Sequence, residues 1–276
     1  MSIKDMVSQL SIVSAVKPDN FNYIKDIYEV CLEKYLNNRN ITFSSIDNGR
    51  KILQSEKEID AYIAFYGAQH YYKLESAFNA LDILNEFHGQ QLNIFSYGCG
   101  AATDTCSLIS YYRKKKVNLP FKNLTLIEPS QVALQRGVSY VEQSLTYKES
   151  KIINIKSLNK QISELEDKDI YDDSLNHKLH IFSNILDIEE INLNQLANLI
   201  VQKCRGKNYF ICISPKKYNG KARVNEFYQE ISLQVNCHII DINDQSFLKR
   251  IYLIKQNNYI DNFQIDRYHN IFYSIF

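Results

Sequence analysis

Gly98 and Gly100 stand one residue apart in the stretch FSYGCGAATDT (95–105), in a chain of 276 residues that has only eight glycines. Without a Cβ, such a pair lets the backbone turn sharply and come close to a ligand. The stretch after it reads as a helix whose first amides would point at the same ligand. A tight strand-to-helix turn with no ligand needs the same glycines, and the pair alone does not separate the two readings. Glu128 shifts the balance. It ends the apolar run NLTLIE (123–128) and is followed at once by Pro129 and Ser130. A carboxylate there has two oxygens with which to accept from neighbouring hydroxyls, such as those of a ribose.

A glycine loop followed by a strand-terminal acid suits both dinucleotide and S-adenosylmethionine (SAM) sites. Two features disfavour a dinucleotide. The fingerprint G-x-G-x-x-G needs glycine at 103, where Thr103 stands. Glu128 lies 30 residues beyond Gly98, against a usual spacing of about 20. No G-x-x-x-x-G-K-[ST] phosphate loop occurs. The sequence therefore favours a nicotinamide-type enzyme least.

Further residues could act on a substrate. Tyr66 and His70 are four apart and share a face if their helix is continuous. His70 could then serve as a general base, or the pair could simply pack on the domain. Asp187 could meet a substrate or cap the helix that follows it. His180, inside an apolar run, reads as a satisfied core histidine. Lys216, Lys217, Lys221 and Arg223 follow a strand-like run and could meet phosphate, though a solvated loop is the default. RKKK (113–116) falls where a helix should end, and cations suit that end of the helix dipole.

These residues need elements to hold them. The first ninety residues read as helices. DNFNYIKDIYEVCLEKYLNN (19–38) carries apolar residues at helical spacing, with Asp19 or Asn20 as its cap. Ser55 and Glu58 have capping-box spacing and open a second helical run to about Phe87, with a break at Gly67. Gly89 is a natural stop. Beyond it, short apolar runs alternate with amphipathic stretches. LNIFSY (92–97), NLTLIE (123–128), KIINIK (151–156), KLHIFSN (178–184) and NYFICIS (208–214) read as strands separated by helices. That alternation implies a mostly parallel sheet covered on both faces. CHIIDI (237–242) and QIDRYHNIFYSIF (264–276) add two strand-like runs, the last a candidate antiparallel edge. The expected fold is α/β, a Rossmann-like seven-stranded mostly parallel sheet with an antiparallel last strand. Residues 1–89 would form a helical cap or lid and residues 90–276 the sheet domain.

The net charge of +1 gives no global case for nucleic-acid binding, and no DNA- or RNA-binding module is recognisable. The start, MSIKDMVSQLSIVSAV (1–16), has no basic segment leading into a long apolar core, and no apolar run approaches a membrane span. The six cysteines are scattered without zinc-ligand spacing. A reduced, cytoplasmic protein with free thiols and no metal site is the simplest expectation.

In order and spacing, these segments resemble the class I SAM-dependent methyltransferases. NIFSYGCGAAT (93–103) is similar to that family's first motif, LTLIEPS (124–130) to its acidic second motif, KLHIFSNILDIEEI (178–191) to its fourth-strand segment and NYFICISP (208–215) to its fifth strand. The resemblance covers roughly residues 89–276. It implies a SAM cofactor touched by Ser96, Tyr97, Gly98, Cys99, Gly100 and Ala101, with Glu128 on the ribose hydroxyls. Pro129 and Ser130, with Ser157, Leu158 and Asn159, would border the adenine. Ser183, Asn184 and Ile185 would lie beneath the sulfonium, and Tyr66, His70 and Asp187 would be the candidate catalytic residues. Three positions depart from the pattern: Ser96 stands where the family often has an acid, Ala102 replaces a third glycine, and Asn159 stands in for an acid. SNILD (183–187) is not the Asp/Asn-Pro-Pro-aromatic segment of base-amino methylation. The implied function is methyl transfer to an O or N acceptor on a small molecule or RNA. The alternative is a non-catalytic module of that fold that binds SAM or another nucleotide as sensor or scaffold.

Overall fold

The computed structural model describes residues 17–216 and 219–276. The N-terminal segment read above for targeting signals, and Lys217 of the basic stretch, lie outside the described residues.

Nine strands form among them. β1 (Leu92–Tyr97), β2 (Phe121–Ile127), β3 (Asn154–Leu158), β4 (His177–Ser183) and β5 (Lys207–Ser214) pair in parallel. β6 (Cys237–Asn243) and β9 (Tyr268–Ile275) complete a seven-stranded sheet of order β3-β2-β1-β4-β5-β9-β6. Every residue of β1 is buried, as expected for a central parallel strand whose two faces are both covered. Ile94, Leu124, Leu179, Ile211 and Ile271 feed the core on one face. Phe95, Phe182, Phe210 and Phe272 feed the other. On that second face the rings of Phe95, His180, Phe210 and Phe272 stack strand by strand, at 5.1, 4.8 and 4.6 Å between centroids. His180 is indeed a core histidine: its ring nitrogens meet Tyr97 Oη and Asn208 Oδ1, both at 3.0 Å.

The last strand differs from the expectation in one respect. β9 is antiparallel to its neighbours, but it runs between β5 and β6, so β6 is the edge. Between β6 and β9 the chain also makes a hairpin that the sequence reading omits, β7 (Phe247–Leu253) with β8 (Asn258–Ile265). Ile251 and Ile265 of the hairpin join the same core as the N-terminal helices.

Those helices are α1 (Glu29–Asn37), α2 (Glu56–Tyr62) and α3 (Ala68–Ala80). The turns into α1 start under Asn22, whose Oδ1 accepts the Lys25 N–H at 3.2 Å, so the cap is neither Asp19 nor Asn20. Ser55 caps α2 by accepting the Glu58 N–H at 3.3 Å. The Glu58 carboxylate reaches past the cap to the Gln54 N–H and to Lys51, both at 2.6 Å. Gly67 breaks nothing. A single widened turn, Ile63–Gly67, joins α2 to α3, and such π-bulges re-aim the side chains beyond them. Gly67 is there for contact, since a Cβ on it would lie 2.9 Å from Tyr23 Oη and 3.3 Å from a Tyr28 ring carbon. α4 (Thr103–Lys115), α5 (Gln131–Ser144), α6 (Leu193–Lys203) and α7 (Gly220–Ser232) flank the sheet. No helix among the described residues is long and apolar enough to cross a membrane.

Candidate functional site

Strand order reverses between β1 and β4, and in an open α/β sheet ligands bind beyond the carboxyl ends of the strands at such a point. The glycine loop lies there. Gly98 and Gly100 take φ of +61° and +55°, and Ala102 follows at 56° as α4 begins. The two glycines are required for different reasons. A Cβ on Gly98 would fall 2.5 Å from Ile185 Cδ1, so the loop after β4 leans on Gly98. A Cβ on Gly100 would meet nothing within 4 Å. Its open side is a cradle that any side chain would fill. Gly137 of α5 is a third glycine of the site, not singled out in the sequence. A Cβ there would lie 2.9 Å from the Ala102 nitrogen, so its absence lets α5 touch the loop.

Glu128 sits beside Gly100. Its Oε2 accepts the Gly100 N–H and its Oε1 the Ser130 N–H, both at 2.9 Å. Burial raises its pKa above the usual carboxylate value, and the two amides oppose that rise. Neighbouring residues hold this corner. Ser130 caps α5 at Ala133 N–H (3.1 Å) and donates to Leu53 O (2.6 Å) in the N-terminal region. Asn159 Nδ2 donates to the carbonyls of Glu128 (3.0 Å) and Pro129 (2.7 Å). Leu158 O accepts the Glu128 N–H at 3.1 Å, and Ser157 is exposed. Ser130 and Asn159 are thus committed to the backbone. Cys99 and Ala101 are buried in the loop, and burial pushes the Cys99 thiol well up. Ser96 and Tyr97 are fully buried too, with hydroxyls spent on Asp104 and His180, so only their main chain could reach a ligand. An acid still serves position 96: Asp104, from α4, accepts from the Ser96 hydroxyl, and burial lifts its pKa to about 6.

The helix α2–α3 lies over this corner. Because it is continuous through the π-bulge, Tyr62, Tyr66 and His70 share a face. Tyr66 and His70 stack at 6.0 Å and 16°, and the Tyr62 and Tyr66 rings are 5.2 Å apart. Gly49 permits a turn to close on both rings, for a Cβ there would lie 3.2 Å from each. Burial raises the Tyr62 pKa, and the Glu128 and Asp187 carboxylates add to it, which puts Tyr62 within reach of both charges. His70 is a poor base. Desolvation, reinforced by Lys73, drives its pKa down to about 3, so the imidazole is neutral and weakly basic at any physiological pH.

Lys73 was missed in the sequence. It is 5% exposed, and its Nζ donates to Asn184 Oδ1 at 3.3 Å. Burial lowers its pKa to about 8, opposed by the Asp187 and Asp266 carboxylates. The available signal was spacing: Tyr66, His70 and Lys73 fall at i, i+4 and i+7 of one helical face. Asn184 takes φ 56° just after β4, with its N–H on Ile213 O (2.8 Å) and its Nδ2 on Ser183 Oγ (3.1 Å). Asp187 does not cap α6; Asn192 does, accepting the Gln195 N–H at 3.0 Å.

The basic residues after β5 have structural work. Arg223 donates to the carbonyls of Leu186 (2.9 Å), Ile188 (2.9 Å) and Ile191 (2.6 Å), fastening the post-β4 loop. Lys216 meets Ser246 Oγ at 3.3 Å and Lys221 meets Asp244 at 3.2 Å. In RKKK, Arg113 pairs with Glu149, Lys114 with Glu75 at 2.7 Å, and Lys115 lies over the Tyr111 ring.

No family model and no curated protein matches the chain. Among solved structures it is similar to the plantazolicin methyltransferase BpumL in complex with S-adenosylhomocysteine (SAH), at 14% identity and TM-score 0.45, over 79% of this chain and 84% of that one. The YcgJ protein from Bacillus subtilis gives 8% identity and TM-score 0.44, over 71% and 97%. Magnesium protoporphyrin IX methyltransferase (ChlM) from Synechocystis PCC 6803, with bound SAM, gives 10% and 0.42, over 88% and 96%. At these identities and scores, the likenesses add no weight to the sheet order and residues described above.

Proposed function

We propose that the chain is a SAM-dependent methyltransferase whose N-terminal helices, within residues 17–89, cap the crevice at the β1–β4 reversal. One observation carries the reading: the Glu128 carboxylate stands 2.9 Å from the Gly100 amide, beside a Gly100 whose Cβ side is open. Each oxygen of Glu128 accepts one backbone N–H and retains a lone pair for a ribose hydroxyl. The residues present therefore fit the cofactor. Cys99, Gly100 and Ala101 would hold it by main chain, with Pro129, Ser157, Leu158 and Asn159 bordering the adenine. Ser183, Asn184 and Ile185 would lie under the sulfonium. SAM supplies an activated methyl group, so the protein's share is alignment of the acceptor and exclusion of water. Tyr62, Tyr66 and His70 supply an aromatic wall for the acceptor, facing Asp187. The engagement of Lys216, Lys221 and Arg223 by protein partners favours a small-molecule acceptor over RNA. The buried, high-pKa thiols of Cys99, Cys106 and Cys212 suit a reducing, cytoplasmic setting.

Calorimetry with SAM and SAH tests this. Micromolar binding, weakened about 100-fold in Glu128→Ala, is expected from two hydrogen bonds to a charged group at about 1.5 kcal/mol each. Well-folded protein that binds neither ligand would refute it. A second reading, a binding module without turnover, is favoured by Ile185 lying against Gly98, which narrows the crevice. Transfer of label from methyl-labelled SAM to a small molecule of a cell extract separates the two.

A further inference from the structure

Lys73 leaves α3 on the face that carries Tyr66 and His70 and ends at Asn184, at the carboxyl end of β4. An ammonium has three donors. Among the described residues one is used, at 3.3 Å on Asn184 Oδ1, and no carboxylate comes within ion-pairing distance. A buried cation held so loosely is costly, and it is aimed at the corner where the post-β4 loop meets the cap. Titratable groups face it from three directions. Asp187 comes from the post-β4 loop, Asp266 from the turn between β8 and β9, and neutral His70 stands one turn earlier on its own helix. The two carboxylates make this a poor seat for an anionic ligand, which they would repel. They do not hinder a group that arrives with a proton to lose.

We infer that Lys73 takes the proton of the methyl acceptor, and that the acceptor is a weakly acidic hydroxyl or a protonated amine presented at the Asn184–Asp187 corner. This rests on the methyltransferase reading. An oxygen lone pair of the hydroxyl, or the nitrogen lone pair freed once the protonated amine has given a proton to Lys73, forms the new bond to the methyl carbon. The carbon–sulfur bond breaks with its electron pair left on sulfur, and the acceptor's proton passes to the neutral amine of Lys73, which becomes an ammonium. Burial supports the assignment by leaving a useful share of the amine neutral near pH 8, whereas His70 is too weak a base for the task.

Lysine side-chain NMR (13Cε and 15Nζ) on the whole chain reads the titration without an acceptor. The Lys73 resonance is assigned by its loss in Lys73→Arg or, should that variant not fold, in Lys73→Met. The expected midpoint is about 8 in the free protein, and lower with SAM than with SAH by at least half a pH unit, because the sulfonium charge would share the pocket. A midpoint near the ordinary 10.5 overturns the inference. A midpoint that rises on adding SAH also overturns it, for Lys73 would then grip the cofactor's carboxylate. If SAH binds and either result appears, this inference alone falls. If SAH does not bind, the methyltransferase reading falls and takes it along.

Discussion

Gly98→Ala and Gly100→Ala, one residue apart and chemically identical, should behave oppositely. Both positions have φ in the left-handed region, which costs an alanine about 1–2 kcal/mol. At Gly98 the new Cβ also lands 2.5 Å from Ile185 Cδ1 and 2.6 Å from its Cγ1. Overpacking of that kind costs about 1–3 kcal/mol. The sum for Gly98→Ala is about 2–5 kcal/mol, or a melting temperature lower by roughly 5–15 °C in a chain of this size. Gly100→Ala meets open space, so its loss is confined to the backbone and to about 2–6 °C. For ligand binding the order reverses. The Cβ of Gly100→Ala enters the cradle and should weaken SAH at least tenfold, about 1.4 kcal/mol. Thermal unfolding and calorimetry on both variants provide the readings. A cycle with Ile185→Ala should recover about 1–3 kcal/mol at position 98 and nothing at position 100. If Gly100→Ala binds SAH within twofold of the unmodified chain, the open side of Gly100 is not a ligand seat and the site assignment is wrong.

Other outcomes follow from the same contacts. Asp104 titrates at about 6 rather than 3.8, so the folded state holds its proton more tightly than the unfolded state. Its contribution is most favourable below pH 3.8 and is lost as pH rises to about 6. The loss is on the order of 3 kcal/mol. Asp104→Asn should flatten that slope in melting temperature against pH, and an unchanged slope would remove Asp104 as its source. Arg223→Met frees three carbonyls of the post-β4 loop. It should cost about 3 kcal/mol and speed hydrogen exchange at Leu186–Ile191 without affecting α4. The imidazole of His70 should stay neutral down to about pH 4, and an NMR midpoint near 6.5 would reinstate it as a base.

How much of this was legible beforehand depended on whether the signal was local. The parallel strands β1, β2, β4 and β5 were readable because each is a short, mostly apolar and mostly buried run, as in Leu92–Tyr97, whereas β3 has no buried residue. The glycine loop and Glu128 were readable because backbone freedom and a terminal acid leave marks at fixed places. The hairpin β7–β8 was not. Its strands mix charged with apolar residues (FLKRIYL and NYIDNFQI), and Asn257 makes the turn at φ 53° without a following glycine. Lys73 and Asp104 were passed over because charged residues on helices normally face water. Only the packing of α3 over the sheet, and of α4 beneath Ser96, buries them. His70 was readable as a helical neighbour of Tyr66 but not as a weak base, since its burial is a property of the folded packing.

The position of β9 also bears on how the molecule comes into being. β9, the last of the described strands, fits between β5 and β6, and Phe272 completes the row of rings begun at Phe95. While a ribosome still holds residues 268–275, β5 has an open edge with its Phe210 ring lacking the Phe272 ring, and β6 has no partner in the sheet. A nascent chain can thus assemble the glycine loop and Glu128 early, yet must carry an unpaired strand until synthesis has passed Ile275. Open edges of that kind invite pairing with other chains. The interval before β9 arrives is therefore when this chain is most open to such pairing.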